Sequence, residues 1–185
     1  MTKIRNYLFI IGAPKCGTSA LANALSDCPD TVVSSTKEPR FLTDFAKISW
    51  QGPGTDDFVE TLTRDMDSFA QTFSDRPDAS WRVDASTDYL SCAATPGLIA
   101  EFAKRADVGE VRLVAILRDP VERAISQYQH TIRQWLEQGS LMEALEKEPE
   151  RMATHTHPLF WHVHRSRYAS QLAPFRERFG DDLLI

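Results

Sequence analysis

The sequence predicts an α/β fold with a mostly parallel central sheet flanked by helices. Two short apolar runs rich in branched residues, 7–11 and 111–117, have the character of strands that are covered on both faces. Each run is followed by a turn and then by apolar residues at helical spacing. Strand–turn–helix units of this kind place ligands at the carboxyl ends of the strands.

The composition is that of one compact domain, with 42% hydrophobic and 25% charged residues in a chain of 185. Lys and Arg number 21 against 26 Asp and Glu, so the formal net charge of −5 argues against a nucleic-acid partner. No apolar run approaches the roughly 18 residues that cross a bilayer, so we expect no membrane span. The three cysteines have neither metal-ligand nor disulfide-framework spacing, which favours a cytoplasmic location.

Each of the two long strands leads into a helix with a recognisable boundary. After the first strand, apolar residues recur at helical spacing from Ala20 to Leu25, and Pro29 blocks continuation. After the second, Asp119 is placed to cap a helix that has Pro120 at its first position and Glu122 three residues past the cap. This pattern predicts a capping box at the start of the second helix.

The second helix is predicted to be amphipathic. Arg123, Ser126 and His130 fall together on one face. The other face carries an apolar stripe made of Val121, Ala124, Ile125, Tyr128, Ile132 and Trp135.

Weaker patterns fill the rest of the chain. Residues 31–33 and 81–83 resemble short strands, and 95–106 resemble a helix. Aromatic and basic residues mix at roughly helical spacing over 158–179, which predicts one or two helices. The polar, Asp-rich stretch 52–78 has no assignable pattern.

The loop Gly12-Ala-Pro-Lys15-Cys16-Gly17-Thr18-Ser19 joins the first strand to its helix, which is the context of a phosphate-binding loop. Its glycines match the separation in G-x-x-x-x-G-K-[ST], but Thr18 stands in the lysine position and the lysine occurs earlier, at Lys15. This change argues against ATP or GTP hydrolysis. A lysine within the loop can place its ammonium beside a 5′-phosphate and the oxygen that leaves with it.

Three ordered motifs together resemble the sulfotransferase family, in particular its glycan-modifying and bacterial branch: 15–19 after a strand, Lys37-Glu38-Pro39-Arg40-Phe41-Leu42, and Leu117-Arg118-Asp119-Pro120 continuing to Ser126. The resemblance covers roughly residues 5–185 and implies a P-loop nucleotide-hydrolase-like fold. It also implies 3′-phosphoadenosine 5′-phosphosulfate (PAPS) as donor and 3′-phosphoadenosine 5′-phosphate (PAP) as product, without a metal.

The resemblance assigns roles to particular residues. The loop residues Lys15, Cys16, Gly17, Thr18 and Ser19 would bind the 5′-phosphosulfate, with Lys15 also catalytic. Arg118 and Ser126 match the residues that hold the 3′-phosphate. Arg118 ends a buried strand and Ser126 lies on the second turn of the next helix, so both can reach one anion at the sheet edge.

Two residues compete for the role of general base. The family's glycan-modifying branch uses a glutamate that matches Glu38, and burial against Phe41 or Phe45 would raise its pKa. His130 is the rival, because imidazole titrates near neutrality and its helical position is one turn after Ser126. We favour Glu38 as the base and His130 as a contact of acceptor or donor. A salt bridge from Glu38 to Lys37 or Arg40 is the alternative interpretation.

The acceptor is expected to be a small-molecule, lipid or carbohydrate hydroxyl or amine. Some heparan-modifying members carry a lysine where Ala85 stands in the segment 84–90, and the chain is acidic, so a densely sulfated polysaccharide is disfavoured. The histidines of 155–164 lack the spacing of helical zinc ligands and are interpreted as surface or acceptor-cleft residues.

We expect a single sulfotransferase domain over 1–185. Family members continue past a strand like 183–185, so the domain is expected to lack its usual C-terminal portion. Two alternatives stay open: a P-loop nucleotide or small-molecule kinase, and a non-catalytic module that binds an adenine nucleotide. The sequence does not determine the oligomeric state.

Overall fold

A computed structural model describes residues 4–185 and contains a five-stranded, all-parallel sheet flanked by helices. The strand order is β2-β3-β1-β4-β5. The strands are β1 Arg5–Gly12, β2 Thr31–Val33, β3 Trp81–Asp84, β4 Val108–Ala115 and β5 Leu183–Leu184. The helices are α1 Thr18–Ser26, α2 Thr55–Glu60, α3 Met66–Gln71, α4 Thr95–Phe102, α5 Pro120–Arg133, α6 Leu141–Glu146, α7 Glu148–Ala153 and α8 Tyr168–Phe179.

The predicted α/β class and parallel sheet are confirmed. The strands predicted at 7–11, 31–33 and 81–83 are present as β1, β2 and β3. The strand expected at 111–117 begins earlier, at Val108, because Val108 pairs with Arg5 at the start of β1. After Ala115 the chain stays beside β1, since the Ile116 N–H donates to the Gly12 carbonyl at 2.8 Å.

The sheet is covered on both faces, as its apolar runs indicate. One face packs against a cluster of aromatic rings, in which Tyr7 and Phe102 meet edge to face with centroids 4.8 Å apart. The opposite face buries Ile10 and Val83 against Ala22 of α1. Burial of both faces explains why β1 shows a continuous apolar run instead of an alternating pattern.

Several helices differ from the sequence pattern. Helix α4 ends at Phe102, short of the predicted 106. The segment 158–179 forms two short 3₁₀ turns, Pro158–Phe160 and His164–Ser166, and then α8. The unassigned stretch 52–78 contains α2 and α3, which are only six residues each and therefore too short to show a clear period.

Helix α5 begins as predicted, because the Asp119 carboxylate accepts hydrogen bonds from the Val121 and Glu122 N–H groups at 3.0 and 2.9 Å. The second half of the expected capping box is wrong: the Glu122 carboxylate instead accepts from Arg118 at 2.7 Å.

The most deeply buried side of α5 is polar and is not the predicted apolar stripe. Its polar residues Arg123, Gln127 and Thr131 are fully buried, while Val121 and Trp135 are 64% and 89% exposed. The polar side chains face the irregular segment 158–162. Arg123 donates to the His162 carbonyl, and the Gln127 amide donates to the Leu159 carbonyl. A segment without regular secondary structure leaves its carbonyls to be satisfied by side chains, and α5 supplies the donors.

Candidate active site

A cavity of about 890 Å³ opens at the carboxyl ends of four neighbouring strands. The loop after β1 contributes 14, 15 and 17–19, the loop after β2 contributes Lys37, Glu38 and Arg40, and the turn after β3 contributes Thr87 and Asp88. Helix α5, which follows β4, contributes Gln127 and His130, and Gln134 follows directly after the helix. The cavity therefore lies where the topology of a parallel α/β sheet places a ligand.

The loop after β1 is shaped by two residues in left-handed conformation. Lys15 has φ 66° and Gly17, which precedes α1, has φ 96°. A Cβ at Gly17 would meet no atom within 4 Å, so its backbone angle, not lack of space, is what favours glycine there. Gly17 provides no side-chain cap, and the N-terminus of α1 therefore offers its first N–H groups and positive dipole end to an anion.

Two lysines of the cavity wall, Lys15 and Lys37, lie near a third cation, Arg133. Burial lowers the pKa of Lys15, and the charges of Arg133 and Lys37 lower it further. Within residues 4–185, none of the three takes part in an ion pair. A cluster of like charges without a carboxylate partner is a site for an anion.

Glu38 also lines the cavity, with 19% of its side chain exposed. One carboxylate oxygen accepts from Arg40 Nη2 at 2.9 Å and the other accepts from Thr87 Oγ1 at 3.2 Å. Burial raises the pKa of Glu38, and the Arg40 charge opposes the increase. Glu38 therefore both lines the cavity and forms a salt bridge with Arg40, which was the alternative interpretation. Phe41 and Phe45, expected beside Glu38, pack instead against Phe69 and Trp50.

His130 faces the cavity from the second half of α5. Burial lowers its pKa, and the charges of Lys15, Arg133 and Lys37 contribute in the same direction. The imidazole is therefore neutral at neutral pH and can accept a proton or a hydrogen bond.

The comparisons with known proteins concern the whole chain. The crystal structure of a sulfotransferase from Alicyclobacillus acidocaldarius matches with 32% sequence identity and a TM-score of 0.87, covering 97% of this chain and 71% of that one. The chain belongs to the sulfotransferase family. The sulfotransferase domain of the Synechococcus PCC 7002 olefin synthase matches at 14% identity and a TM-score of 0.50, covering 100% of this chain and 66% of that one, and so shares the fold. No family model matches the sequence, and neither does any curated protein.

The structure of this sulfotransferase-family chain brings most of the predicted site residues together. Lys15, Gly17, Thr18 and Ser19 share the cavity with Glu38 and His130. Cys16 lies on the other side of the loop, with its Sγ 3.8 Å from Tyr168 Oη, and burial raises the pKa of its thiol. A role for Cys16 in donor binding stays a prediction that involves its backbone and not its thiol.

Arg118 and Ser126 do not line this cavity. Arg118 is exposed at the end of the chain segment that follows β4 and pairs with Glu122 at 2.7 Å. Ser126 is half-buried on α5. Their assignment to a 3′-phosphate stays a prediction for the surface beside the start of α5.

The structure also places in the cavity wall two side chains that the sequence analysis did not single out, Asp88 and Arg165, and one of the histidines interpreted as surface or acceptor-cleft residues, His157. Asp88, Arg165 and His157 come from segments without regular strands or long helices. Phe58 of α2 stacks on the His157 ring with centroids 5.1 Å apart. No sequence pattern connects Arg165 with the segment 84–90 that contains Asp88.

The histidines of 155–164 occupy different environments. His155 is exposed, His157 lines the cavity, His164 is half-buried, and His162 is fully buried. Across residues 4–185, no three His, Cys, Asp or Glu side chains group as a metal site requires. In the same part of the chain, no helix has the length and apolarity to cross a bilayer.

Proposed function

We propose that this protein transfers the sulfuryl group of PAPS to a hydroxyl or amine of a sugar, lipid or small-molecule acceptor. One observation carries the proposal: a lysine in a phosphate-type loop and a half-buried carboxylate line the same cavity, in a chain of the sulfotransferase family. Sulfuryl transfer needs these two groups, because charge develops on the departing phosphate while the acceptor loses a proton.

The residues fit a polyanionic donor. The cluster of Lys15, Lys37 and Arg133 has no carboxylate partner among the described residues, and the uncapped N-terminus of α1 adds N–H donors beside it. Thr18 and Ser19 add hydroxyl donors on the cavity wall. When bound, PAPS supplies a sulfuryl group attached to a phosphate that can leave. Arg118 and Ser126 would hold its 3′-phosphate outside the cavity.

Glu38 is the proposed general base. Its raised pKa makes it a stronger base than an exposed glutamate, and its position in the cavity wall gives it access to an acceptor hydroxyl. The acceptor oxygen forms a bond to sulfur, the bond between sulfur and the phosphate oxygen breaks, and the acceptor proton goes to the Glu38 carboxylate. Lys15 stabilises the negative charge that remains on the phosphate.

His130 is proposed to contact the acceptor or the transferred group. Because burial and, to a lesser extent, the nearby cations lower its pKa, the neutral ring can accept a hydrogen bond without adding a fourth positive charge to the site. The turnover of a His130 variant is also the quantity to compare with the turnover of a Glu38 variant.

Calorimetric titration with PAP tests the donor site. We expect saturable binding of PAP and none of ATP with Mg²⁺, since the loop lacks the lysine of the G-K-[ST] pattern. Lys15→Ala should weaken PAP binding by about 10-fold or more, from loss of a charged phosphate contact. The matched control is Lys104→Ala, an exposed lysine paired with Glu101 at 2.7 Å. Preference for ATP with Mg²⁺ would place the protein among the kinases, and binding of neither would contradict the proposal.

A further inference from the structure

Four charged side chains of alternating sign form a chain of contacts in the cavity wall. Glu38 accepts from Arg40 at 2.9 Å, and Arg40 Nε donates to Asp88 Oδ2 at 2.5 Å. Arg165 Nη2 in turn lies 2.6 Å from Asp88 Oδ1. Asp88 and Arg165 are 2% and 4% exposed, so water screens these charges weakly.

Arg40 is held from several sides. Its backbone N–H donates to Ser86 Oγ at 2.9 Å, and its guanidinium also donates to Thr61 Oγ1 at 2.8 Å. The residue has φ 52°, a left-handed conformation that a side chain disfavours unless the surrounding contacts stabilise it. The guanidinium therefore has one defined position between Glu38 and Asp88.

The contact between Arg165 and Asp88 acts mainly through charge. The two facing atoms are close, yet they do not have the alignment of a hydrogen bond, and Arg165 Nε also has no hydrogen-bond partner. A different buried pair, Arg151 and Glu137, makes two aligned hydrogen bonds at 2.5 and 2.9 Å and does not line the cavity. Arg151 and Glu137 are thus joined by hydrogen bonds, whereas the contact between Arg165 and Asp88 chiefly places charge near Glu38.

We infer that Asp88 and Arg165 are positioning residues that, together with Arg40, set the protonation state of the Glu38 carboxyl. The inference rests on the proposed function, in which Glu38 is the general base. Asp88 carries a negative charge that favours protonated Glu38, whereas Arg165 and Arg40 carry positive charges that favour the carboxylate. Because the two kinds of charge act in opposite directions, Glu38 is a better base than a glutamate that faces arginine alone.

Further charged groups face this chain. Asp84 of β3 interacts with Glu38 and is itself buried, and His157 lies close enough to Asp88 to interact with its charge. Burial lowers the pKa of His157, so it is neutral at neutral pH. Replacing Asp88 or Arg165 therefore changes the charge next to the Glu38–Arg40 pair most directly.

Nuclear magnetic resonance titration of isotope-labelled glutamate tests the inference without donor or acceptor. The Glu38 signal is assigned by its loss in Glu38→Gln. Asp88→Asn removes a negative charge and should move the Glu38 titration midpoint down by about one pH unit, whereas Arg165→Gln should move it up by about as much. Glu137→Gln, which breaks the other buried pair, should leave the midpoint unchanged.

Thermal unfolding of each variant confirms that it is folded before titration. Arg165→Lys keeps the charge and should retain the wild-type midpoint, so the two Arg165 variants suffice if Asp88→Asn does not fold. Three outcomes would overturn the inference. The midpoints could be equal in all variants, the shifts in Asp88→Asn and Arg165→Gln could have the same sign, or Arg165→Lys could behave like Arg165→Gln. Because no nucleotide is present, the outcome is independent of whether the chain binds PAP.

Discussion

Lys15 and His130 face the same cavity, and the Lys15 charge helps to hold the pKa of His130 below its ordinary value. The two residues come from different elements, the loop after β1 and helix α5. Their proximity means that an anion bound at Lys15 also changes the electrostatic environment of the imidazole. We therefore expect binding of an anion at Lys15 to be coupled to the protonation of His130.

Lys15→Ala should raise the pKa of His130. Removal of the positive charge takes away one of the causes that disfavour the imidazolium, while burial of the ring remains. The measurement is a titration of the histidine ring protons by nuclear magnetic resonance, with Lys104→Ala as the control. An unchanged His130 midpoint in Lys15→Ala would show that the ammonium does not approach the ring in solution.

Glu38→Gln should decrease turnover by about 100-fold or more and leave PAP affinity within a factor of about 2, because the amide cannot take the acceptor proton. Thr87 Oγ1 and Arg40 border the carboxylate, and Gln retains the shape that they contact. Steady-state kinetics and calorimetry on the same preparation measure the two quantities. Retained turnover in Glu38→Gln with loss of turnover in His130→Ala would assign the base to His130.

The sequence predicted the elements whose signals are local. Asp119 and Pro120 mark the start of α5 because a cap and a fixed φ act within a few residues. The loop Gly12–Ser19 was placed correctly because a buried strand and a helix flank it. These signals depend on neighbours in the chain and so can be read from the sequence alone.

The buried face of α5 could not be predicted in the same way. The amphipathic pattern assumes that the partner surface is apolar, whereas the partner of Arg123 and Gln127 is a set of backbone carbonyls between 158 and 162. Hydrogen bonding compensates for burying the polar groups. Arg165 was missed for a related reason, because only the folded chain brings it to Asp88.

Arg118→Ala should reduce the preference for PAP over adenosine 5′-phosphate. If Arg118 binds the 3′-phosphate, its loss weakens PAP binding by about 10- to 100-fold, the usual effect of removing a charged hydrogen bond, and leaves adenosine 5′-phosphate unaffected. To bind the nucleotide, Arg118 must give up its ion pair with Glu122. The control is Arg112→Ala, another exposed arginine in ion pairs. An equal loss of affinity for both nucleotides would contradict the assignment.

Ser126→Ala should lower PAP affinity less than Arg118→Ala does, because a hydroxyl contributes a neutral hydrogen bond instead of a charged one. Ser126 is half-buried on α5. Calorimetry with PAP and with adenosine 5′-phosphate gives the ratio of affinities. A Ser126→Ala variant with wild-type affinity for PAP would remove Ser126 from the site.

His162 should make the protein sensitive to acid. The ring is fully buried, neither nitrogen has a hydrogen-bond partner among the described residues, and burial lowers the pKa of His162 to about 4. The unfolded chain takes up the proton first as the pH falls below the ordinary value of 6.5, so folding stability is lost between about pH 6.5 and 4. The loss attributable to this residue is roughly 3 kcal/mol at most.

The opposite behaviour of Asp84 makes a comparison of variants necessary. Burial raises the pKa of Asp84 to about 6, so the folded protein binds that proton first and gains stability over part of the same pH range. His162→Gln removes one titration and leaves Asp84 in place, and His155→Gln makes the same change at an exposed ring. The free energy of unfolding in urea should fall less between pH 7 and 4.5 in His162→Gln than in the wild type. Equal acid sensitivity of both variants and the wild type would mean that the His162 ring is protonated within the folded protein.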